Sequence, residues 1–380
     1  MRDGRQPGFD EVAVRRALAG RRVLITGHTG FKGGWLALWL RRLGAEVVGV
    51  ALPPPVGPSL AGAIAIDRQV DSRIGDIRSR DSFAAALAGY DAELVFHMAA
   101  QALVRHSIAD PVDTFATNVV GTATVLEAAR HMPSLKAVVV VTSDKCYDNK
   151  EWDWGYRETD PMGGSDPYSA SKGCTELVAA SYRKTFFAHP GGPQLATVRA
   201  GNVIGGGDWS ADRLVPDIVR AALKGVPVTI RNPASVRPWQ HVLDALAGYL
   251  TVASRLVGGE AGEAWNFGPD TAGVADVATL AGAVADAWGP GGPRFVFGAN
   301  GDQREAKLLS LDSSKARARL GWAPTLDRAA TIRFTIDWYR AWAAGQADMT
   351  AFTNAQIAAF VATGDQHDYE LSAGKLKQCA

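Results

Sequence analysis

The chain has 380 residues, 47% of them apolar and 21% charged, and a formal net charge of +1. That length supports a large core and more than one domain, and the composition excludes a disordered or fibrous chain. With no basic run, nucleic acid is not an expected partner, and no apolar run reaches the about 18 residues of a membrane span. Three cysteines (Cys146, Cys174 and Cys379) at unrelated spacings give neither a disulfide framework nor a zinc site, so no metal is expected. Residues 1–20 are charged and lack a long apolar segment, which sets the expectation of a cytoplasmic chain opening on a mobile extension of about ten residues.

In chain order, residues 21–27 are a short apolar run ending in glycine. A glycine-rich turn follows, then an apolar helix around Trp35–Leu40 stopped by Gly44, then a second strand over Glu46–Leu52. The alternation continues with a strand within Gln69–Asp76, a helix over Ser79–Leu87 and a strand over Glu93–Met98. A long helix runs from Pro111 to about His131, followed by a strand over Lys136–Ser143, a helix over Tyr168–Phe187 and a strand over Gln194–Gly201. Alternation of this length predicts an α/β fold with a Rossmann-like, doubly wound parallel sheet. Right-handed crossovers then bring every strand's carboxyl end to one edge, where ligands bind. Beyond Gly201 the pattern loosens into helices over Asp212–Lys224, His241–Leu256, Val274–Trp288, Ser313–Leu320 and Leu326–Ala344, with short strands at Pro227–Arg231 and Trp265–Gly268. The domains expected are a dinucleotide-binding unit over 1–200, with 241–268 returning to it, and a smaller mixed α/β C-terminal unit over 201–240 and 269–345 that binds substrate. Residues 346–380 are left as a tail.

Thr26-Gly-His-Thr-Gly-Phe-Lys-Gly33 has the Gly-x-x-Gly-x-x-Gly spacing between a strand and a helix. Gly27 permits the tight turn, Gly30 lets backbone approach a pyrophosphate, and Gly33 allows close helix–strand packing. The helix N-terminus adds free N–H groups and a positive dipole end. His28 and Lys32 are unusual in such a turn; each either contacts a phosphate or faces solvent. Phe31 in the turn, Ile77 after the third strand, and Met98, Ala99 and Ala100 after the fourth also fall at the ligand edge. Asp76 is either an adenine contact or a turn cap. The second strand ends in Pro53–Pro55 without an acid or a base, so this position does not separate NAD from NADP.

The richest string is Val141-Thr-Ser-Asp-Lys-Cys-Tyr147, with Tyr168-Ser-Ala-Ser-Lys172 downstream. Tyr168 and Lys172, four apart, share a helix face, and an ammonium beside a phenol favours phenolate. Ser143 completes a proton-handling trio. Asp144 and Lys145 add two titratable groups that a simple alcohol oxidation does not need. Cys146 and Cys174 read as small packing residues, because no histidine is evident beside either. His97 is either a site residue or a buried strand histidine. Trp152 and Trp154 either wall a pocket or bury their loop.

These motifs resemble the extended short-chain dehydrogenase/reductase family, and within it the sugar-nucleotide 4,6-dehydratases. The resemblance runs from about Arg21 to about Trp342. Its further strings are His97-Met-Ala-Ala-Gln101, Pro161-Met-Gly-Gly164, Asp166-Pro-Tyr-Ser169, Arg199-Ala-Gly-Asn-Val-Ile-Gly-Gly-Gly-Asp-Trp209 and Arg237-Pro-Trp-Gln-His-Val242. Relatives acting on TDP- and GDP-sugars carry Asp-Glu where this chain has Asp144-Lys145, which points to the CDP-sugar branch. Glu305-Ala-Lys-Leu-Leu309 departs from the pattern, with Lys307 and Leu308 replacing the usual His and Tyr.

The resemblance implies NAD as cofactor, and CDP-glucose or a related nucleotide sugar as substrate. It also implies a three-stage reaction: oxidation at C4, elimination across C5–C6 and hydride return to C6. Tyr168 would take the 4-hydroxyl proton, Lys172 would hold Tyr168 acidic and bond the nicotinamide ribose, and Ser143 would bond the forming carbonyl. Asp144 and Lys145 would supply the acid and base of the elimination. Either Lys145 is the base and protonated Asp144 the acid, or the reverse. Asn118 is carried over as a residue close to the cofactor. Gln101, Asn202, Arg213, Arg231, Arg237 and Trp239 are candidate substrate contacts, with Trp209 near the nucleotide; each is alternatively a domain-interface residue. A homodimer or homotetramer through helices 111–131 and 168–187 is also implied. The rival readings are a nucleotide-sugar 4-epimerase, a dehydratase for another nucleotide hexose, and a non-catalytic dinucleotide-binding protein.

Overall fold

A computed structural model describes residues 8–365 except 188, 190, 271–272 and 299–307. The first half is α1 (Glu11–Leu18), β1 (Arg22–Thr26), α2 (Phe31–Arg42), β2 (Glu46–Ala51), α3 (Leu60–Ala63), α4 (Ile66–Gln69), β3 (Asp71–Ile74), α5 (Arg80–Leu87), β4 (Leu94–His97), α6 (Val104–Ala109), α7 (Pro111–Phe115), α8 (Gly121–Ala129), β5 (Ala137–Val141) and α9 (Pro167–Tyr182). The second half is β6 (Gln194–Ala200), β7 (Asn202–Ile204), α10 (Leu214–Lys224), β8 (Pro227–Ile230), β9 (Val236–His241), α11 (Val242–Val257), β10 (Ala264–Phe267), β11 (Val274–Asp276), α12 (Val277–Trp288), β12 (Arg294–Phe297), α13 (Ser314–Leu320), α14 (Arg328–Ala343) and α15 (Met349–Asp365).

Seven strands make one parallel sheet in the order β10-β6-β5-β4-β1-β2-β3. Its central strands read as unbroken apolar runs because both faces are covered: β5, Ala-Val-Val-Val-Val, is buried at every position. One face packs on α2, α11 and the C-terminal helices, the other on α5, α8 and α9. The smaller part holds a three-stranded sheet, β11-β9-β7, and a two-stranded one, β12-β8. The doubly wound sheet expected from the alternation is present. Among the described residues, no helix is long and apolar enough to cross a membrane.

Several elements differ from the sequence expectation for local reasons. The long helix over 111–131 is interrupted by a π-helical segment, Ala116–Val120, between α7 and α8. Widening there directs the Asn118 carbonyl to two hydroxyls, Thr122 Oγ1 (2.6 Å) and Thr175 Oγ1 (2.9 Å). Of the opening extension, residues 1–7 lie outside the described residues. Phe9 is buried against Trp39 at 5.0 Å, and Asp10 caps α1. The segment read as a tail contains α15, tied down by Trp338 Nε1 to Thr353 Oγ1 (2.9 Å), Gln356 Nε2 to the Phe334 carbonyl (2.7 Å) and Thr350 Oγ1 to the Ile64 carbonyl (2.8 Å). The departure at 305–307, including Lys307, and Cys379 lie outside the described residues.

Glycines report how tightly the sheet edge is packed. A Cβ on Gly49 of β2 would run into the His28 ring, whereas a Cβ on Gly282 of α12 meets nothing within 4 Å. Gly49→Ala should therefore lower stability by about 1–3 kcal/mol through overpacking. Gly282→Ala should raise it by about 0.4–1 kcal/mol through the helix interior and the unfolded chain. Denaturant midpoints of the two variants check this, and equal shifts would contradict it.

Candidate functional site

The candidate residues gather where β1, β4 and β5 end and α9 begins. At the end of β1, Gly27 has φ +81°, and a Cβ on it would sit 2.8 Å from the Ala99 backbone. A Cβ on Gly33 would strike the Gly27 carbonyl. The turn is thus a backbone cradle pressed against Met98 and Ala99. The N-cap of α2 is Gly30, with no side-chain cap bond, whereas Asp10, Ser79, Asp166, Asp276 and Asp327 cap their helices. The first-turn N–H groups of α2 are therefore left to a ligand, and this cradle fits a dinucleotide pyrophosphate.

The two unusual residues of the turn point elsewhere than expected. His28 is fully buried, its ring against Gly49 and its Nε2 2.7 Å from Ser72 Oγ. Burial lowers its pKa to about 4, so it is a neutral packing residue and not a phosphate-binding cation. Lys32 does not face solvent either. Burial, then the charges of Arg213 and Lys172, lowers its pKa to about 8, and Asp144 and Asp208 oppose them. These charges come from the turn after β5, α9 and the segment 208–213. Phe31 meets the 205–209 loop: a Cβ on Gly205 would be 3.1 Å from its Cζ. Asp76 behaves as the turn cap, accepting from Arg78 N at 2.9 Å and pairing with the Arg78 guanidinium at 2.7 Å. Ile77 is buried and fills the space a side chain at Gly121 would need.

A chain of hydrogen bonds fastens the ends of β1 and β4. Met98 N and Ala99 N donate to Thr26 Oγ1 (3.1 and 3.2 Å), so that hydroxyl donates to His97 Nδ1 (2.7 Å). His97 Nε2 then donates to Thr122 Oγ1 (2.9 Å), which donates to the Asn118 carbonyl. Burial, with the Lys172 charge behind it, lowers the His97 pKa to about 3. His97 is a buried strand histidine in a structural relay. Asn118 accepts from Gln101 N (2.8 Å) and donates to the Gln101 carbonyl and Ser171 Oγ, both at 2.9 Å. The Gln101 amide, expected on substrate, is occupied by Leu103 and Thr114 instead; it stiffens the segment after Ala100.

At the end of β5 the chain makes one 3-10 turn, Asp144–Cys146, capped by Ser143. Ser143 Oγ donates to Asp144 Oδ1 at 2.9 Å, and its hydroxyl also favours the ionised form of the Tyr168 phenol. Burial raises the Tyr168 pKa, while the Ser143 bond and the Arg213 charge pull it back. Lys172, with Nζ 3.5 Å from the Val141 carbonyl, is lowered to about 8 by burial against the pull of Glu176. Asp144 is 4% exposed, and burial raises its pKa over the opposing Lys145, Ser143 and Lys32. Gly201 makes room for it, since a Cβ there would be 3.0 Å from Asp144 Oδ2. The turn thus brings Ser143, Asp144 and Lys145 to the start of α9, where Tyr168 lies, with Lys172 one helical turn further on.

The substrate candidates divide. Arg213 reaches across from the start of α10 to the Ala102 carbonyl (3.2 Å), close enough to act on Tyr168 and Lys32. Arg231 pairs with Asp212 (3.6 Å), which also holds Arg105 (3.1 Å). Asn202 opens β7, opposite Trp239 of β9. Arg237 folds back onto the Val236 carbonyl (2.8 Å). Trp239 is buried in the core with Nε1 on the Ala275 carbonyl (3.3 Å), so its indole is taken up within the fold, whereas Trp209 packs on Trp342 (4.7 Å) and Tyr339 (5.3 Å) and its Nε1 bonds to no protein group among the described residues. Trp152 stacks on Tyr156 and buries its loop, while Trp154 is exposed. Sequence reasoning missed Glu176, Arg199 and Thr142 behind the turn. The available signals were an acid four residues after Lys172 on the same helix face and an arginine inside a buried strand.

The model of the NAD dependent epimerase/dehydratase family matches residues 23–268. The chain belongs to that family. It is 48% identical over 348 residues to a protein of Salmonella typhimurium named CDP-glucose 4,6-dehydratase, covering 90% of this chain and 96% of the relative. It is 32% identical over 326 residues to a dTDP-glucose 4,6-dehydratase of Streptomyces antibioticus, covering 84% and 92%. Among solved structures, a dTDP-glucose 4,6-dehydratase of Streptomyces venezuelae with NAD bound superposes with a TM-score of 0.72 at 28% identity, covering 86% of this chain and 99% of that one. A UDP-glucose 4-epimerase of Thermotoga maritima gives the same score at 22% identity, which shows a shared fold alone. The chain is thus an enzyme of the NAD-dependent dehydratase and epimerase fold, with NAD as cofactor.

The Arg213 charge lowers the Tyr168 pKa. Arg213→Met should move the ascending limb of the pH profile for C4 oxidation to higher pH. Reduced-nicotinamide absorbance after mixing with nucleotide hexose measures it; an unchanged or lowered limb would contradict the placement of Arg213.

Proposed function

We propose that the chain is an NAD-dependent 4,6-dehydratase that converts CDP-glucose to CDP-4-keto-6-deoxy-glucose and water. The observation that carries this is the turn after β5, which sets Asp144 and Lys145 beside Ser143, Tyr168 and Lys172. Oxidising a hydroxyl and returning it needs only the last three. Elimination across C5–C6 needs one more acid and one more base. The Salmonella relative, similar over nine-tenths of the chain, supports a CDP-sugar as substrate.

The cradle Gly27–Gly33, the 98–100 segment and Lys172 hold the cofactor. When bound, NAD supplies the hydride acceptor at C4 and the hydride donor at C6. Tyr168 takes the proton of the 4-hydroxyl, and Ser143 bonds the oxygen as it becomes a carbonyl. The ketone acidifies the C5 proton. Burial gives Asp144 a firmer hold on a proton than an ordinary carboxyl has, which suits it to be the acid at the 6-hydroxyl, and that group leaves as water. Lys145 is then the base that removes the C5 proton and, after exchange with solvent, delivers a proton back to C5. Tyr168 ends a turnover with one proton more and Asp144 with one fewer. Ser143 Oγ, bonded to Asp144 and acting on the Tyr168 phenol, is the group proposed to carry the proton that restores both.

Residues 1–200 with 241–268 form the dinucleotide-binding unit, and 201–240 with 269–345 the substrate unit, where Arg213 and Arg231 meet the diphosphate and Asn202 the sugar. Exposed Val112, Phe115 and Val120 on the 111–129 helix, with Leu177 and Phe186 on the following one, support a homodimer or homotetramer through these faces. A cytoplasmic location is in keeping with a nucleotide-sugar substrate.

The test is incubation with CDP-, TDP-, GDP- and UDP-glucose in heavy water, with and without added NAD. CDP-glucose should turn over fastest, giving a 4-keto-6-deoxy sugar with deuterium at C5 and no lasting reduced cofactor. Lys145→Met should keep C4 oxidation and stop elimination. A C4 epimer without exchange would overturn the dehydratase reading in favour of an epimerase.

A further inference from the structure

Behind the reactive turn lies a charged network that no step above uses. Glu176, on α9 one helical turn past Lys172, has a side chain 6% exposed; that of Arg199, on β6, is 2% exposed. Arg199 donates Nε to Glu176 Oε1 at 2.7 Å and Nη2 to Oε2 at 2.8 Å, a bidentate fork. Burial alone would raise the Glu176 carboxyl, but Arg199, Thr142 and Thr197 hold it below the ordinary range. The pair is therefore ionised, and a buried pair of this kind is weak evidence of stabilisation for its own sake.

Its remaining bonds go to the two flanks of the turn. Glu176 Oε1 accepts from Thr142 Oγ1 at 2.5 Å, and Thr142 directly precedes Ser143. Arg199 Nη1 donates to Tyr147 Oη at 2.5 Å, and Tyr147 directly follows Cys146. Tyr147 is 1% exposed and passes its own proton to Asn266 Oδ1 at 2.8 Å. The guanidinium also lies over the Tyr147 ring, 5.0 Å from its centroid. Thr142 has a second attachment in the bond from its N–H to the Val198 carbonyl (2.9 Å). On the downstream side, the phenol bond to Arg199 links the turn directly to the ion pair.

We infer that the Glu176–Arg199 pair is a positioning device for the elimination half of the reaction, gripping the Asp144–Lys145 turn at Thr142 and Tyr147 and setting it against Lys172 on the same helix. This rests on the dehydratase reading above. The upstream grip sits next to Ser143 and serves both half-reactions. The downstream grip serves Asp144 and Lys145, which act only after C4 is oxidised. Lysine could not replace Arg199, because one ammonium cannot fork to Glu176 and still reach Tyr147.

Tyr147→Phe removes the downstream grip while leaving the ion pair and the stacked ring in place, so it should fold with a near-native thermal midpoint. Its C4 oxidation should stay within about threefold of wild type, while release of 4-keto-6-deoxy sugar falls by about tenfold or more, equivalent to about 1.4 kcal/mol. Reduced nicotinamide should accumulate. Arg199→Lys should show the same split, and Thr142→Ser, which keeps the hydroxyl, should be close to wild type. If oxidation and elimination fall together in Tyr147→Phe, or neither falls, the positioning role is overturned. A wild-type chain that gives no 4-keto-6-deoxy sugar would overturn the dehydratase reading itself, which the variants' ratio does not address.

Discussion

Seven parallel strands make the site possible. Because every strand of the main sheet runs the same way, the ends of β1, β4 and β5 arrive at one edge. A glycine cradle, a cofactor-facing segment and a reactive turn can then be encoded far apart in sequence and meet in space. The edge is fixed by polar bonds between neighbouring ends. Thr26, His97, Thr122 and Asn118 form one unbroken chain of donors and acceptors across it, with each residue's role determined by the next. The π-helical segment at Asn118 is the local distortion that lets a helix take part in that chain.

Burial then does most of the electrostatic work. The same loss of hydration raises Asp144 and Tyr168 and lowers Lys172 and Lys32. Each group moves towards its neutral form, which suits Asp144 as an acid, whereas Tyr168 as a base depends on the neighbours that pull its pKa back down. Named neighbours tune the result: Ser143 and Arg213 for the phenol, Lys145 and Lys32 for the carboxyl, Glu176 for the lysine. Glu176 and Arg199 are the exception, remaining charged because each satisfies the other.

The sheet, its helices and the grouping of the five residues proposed to react were legible in the sequence because they rest on local signals. These are apolar runs of strand length, glycines at fixed spacing, and Tyr168 and Lys172 four apart. What was not legible depends on partners distant in sequence. His28 reads as a phosphate contact or a solvent-facing residue in a turn motif, yet Gly49 on the next strand leaves it a buried slot. Gln101 and Trp239 look available until Thr114 and Ala275 claim their polar atoms. Phe9 and α15 look like ends without a role until Trp39 and Trp338 bring them onto the core. Glu176 and Arg199 are 23 residues apart, and although Arg199 opens one of the resemblance strings, nothing in either stretch of sequence pairs it with Glu176.

The claim at the centre is that one turn converts a shared hydride site into a dehydratase, with hydrogen leaving C4 and returning to C6 of the same sugar. Following the label of CDP-glucose deuterated at C4 tests it most directly. Dehydration at this turn predicts deuterium on the C6 methyl group of the product. Deuterium returned to C4, or lost to solvent, would contradict it.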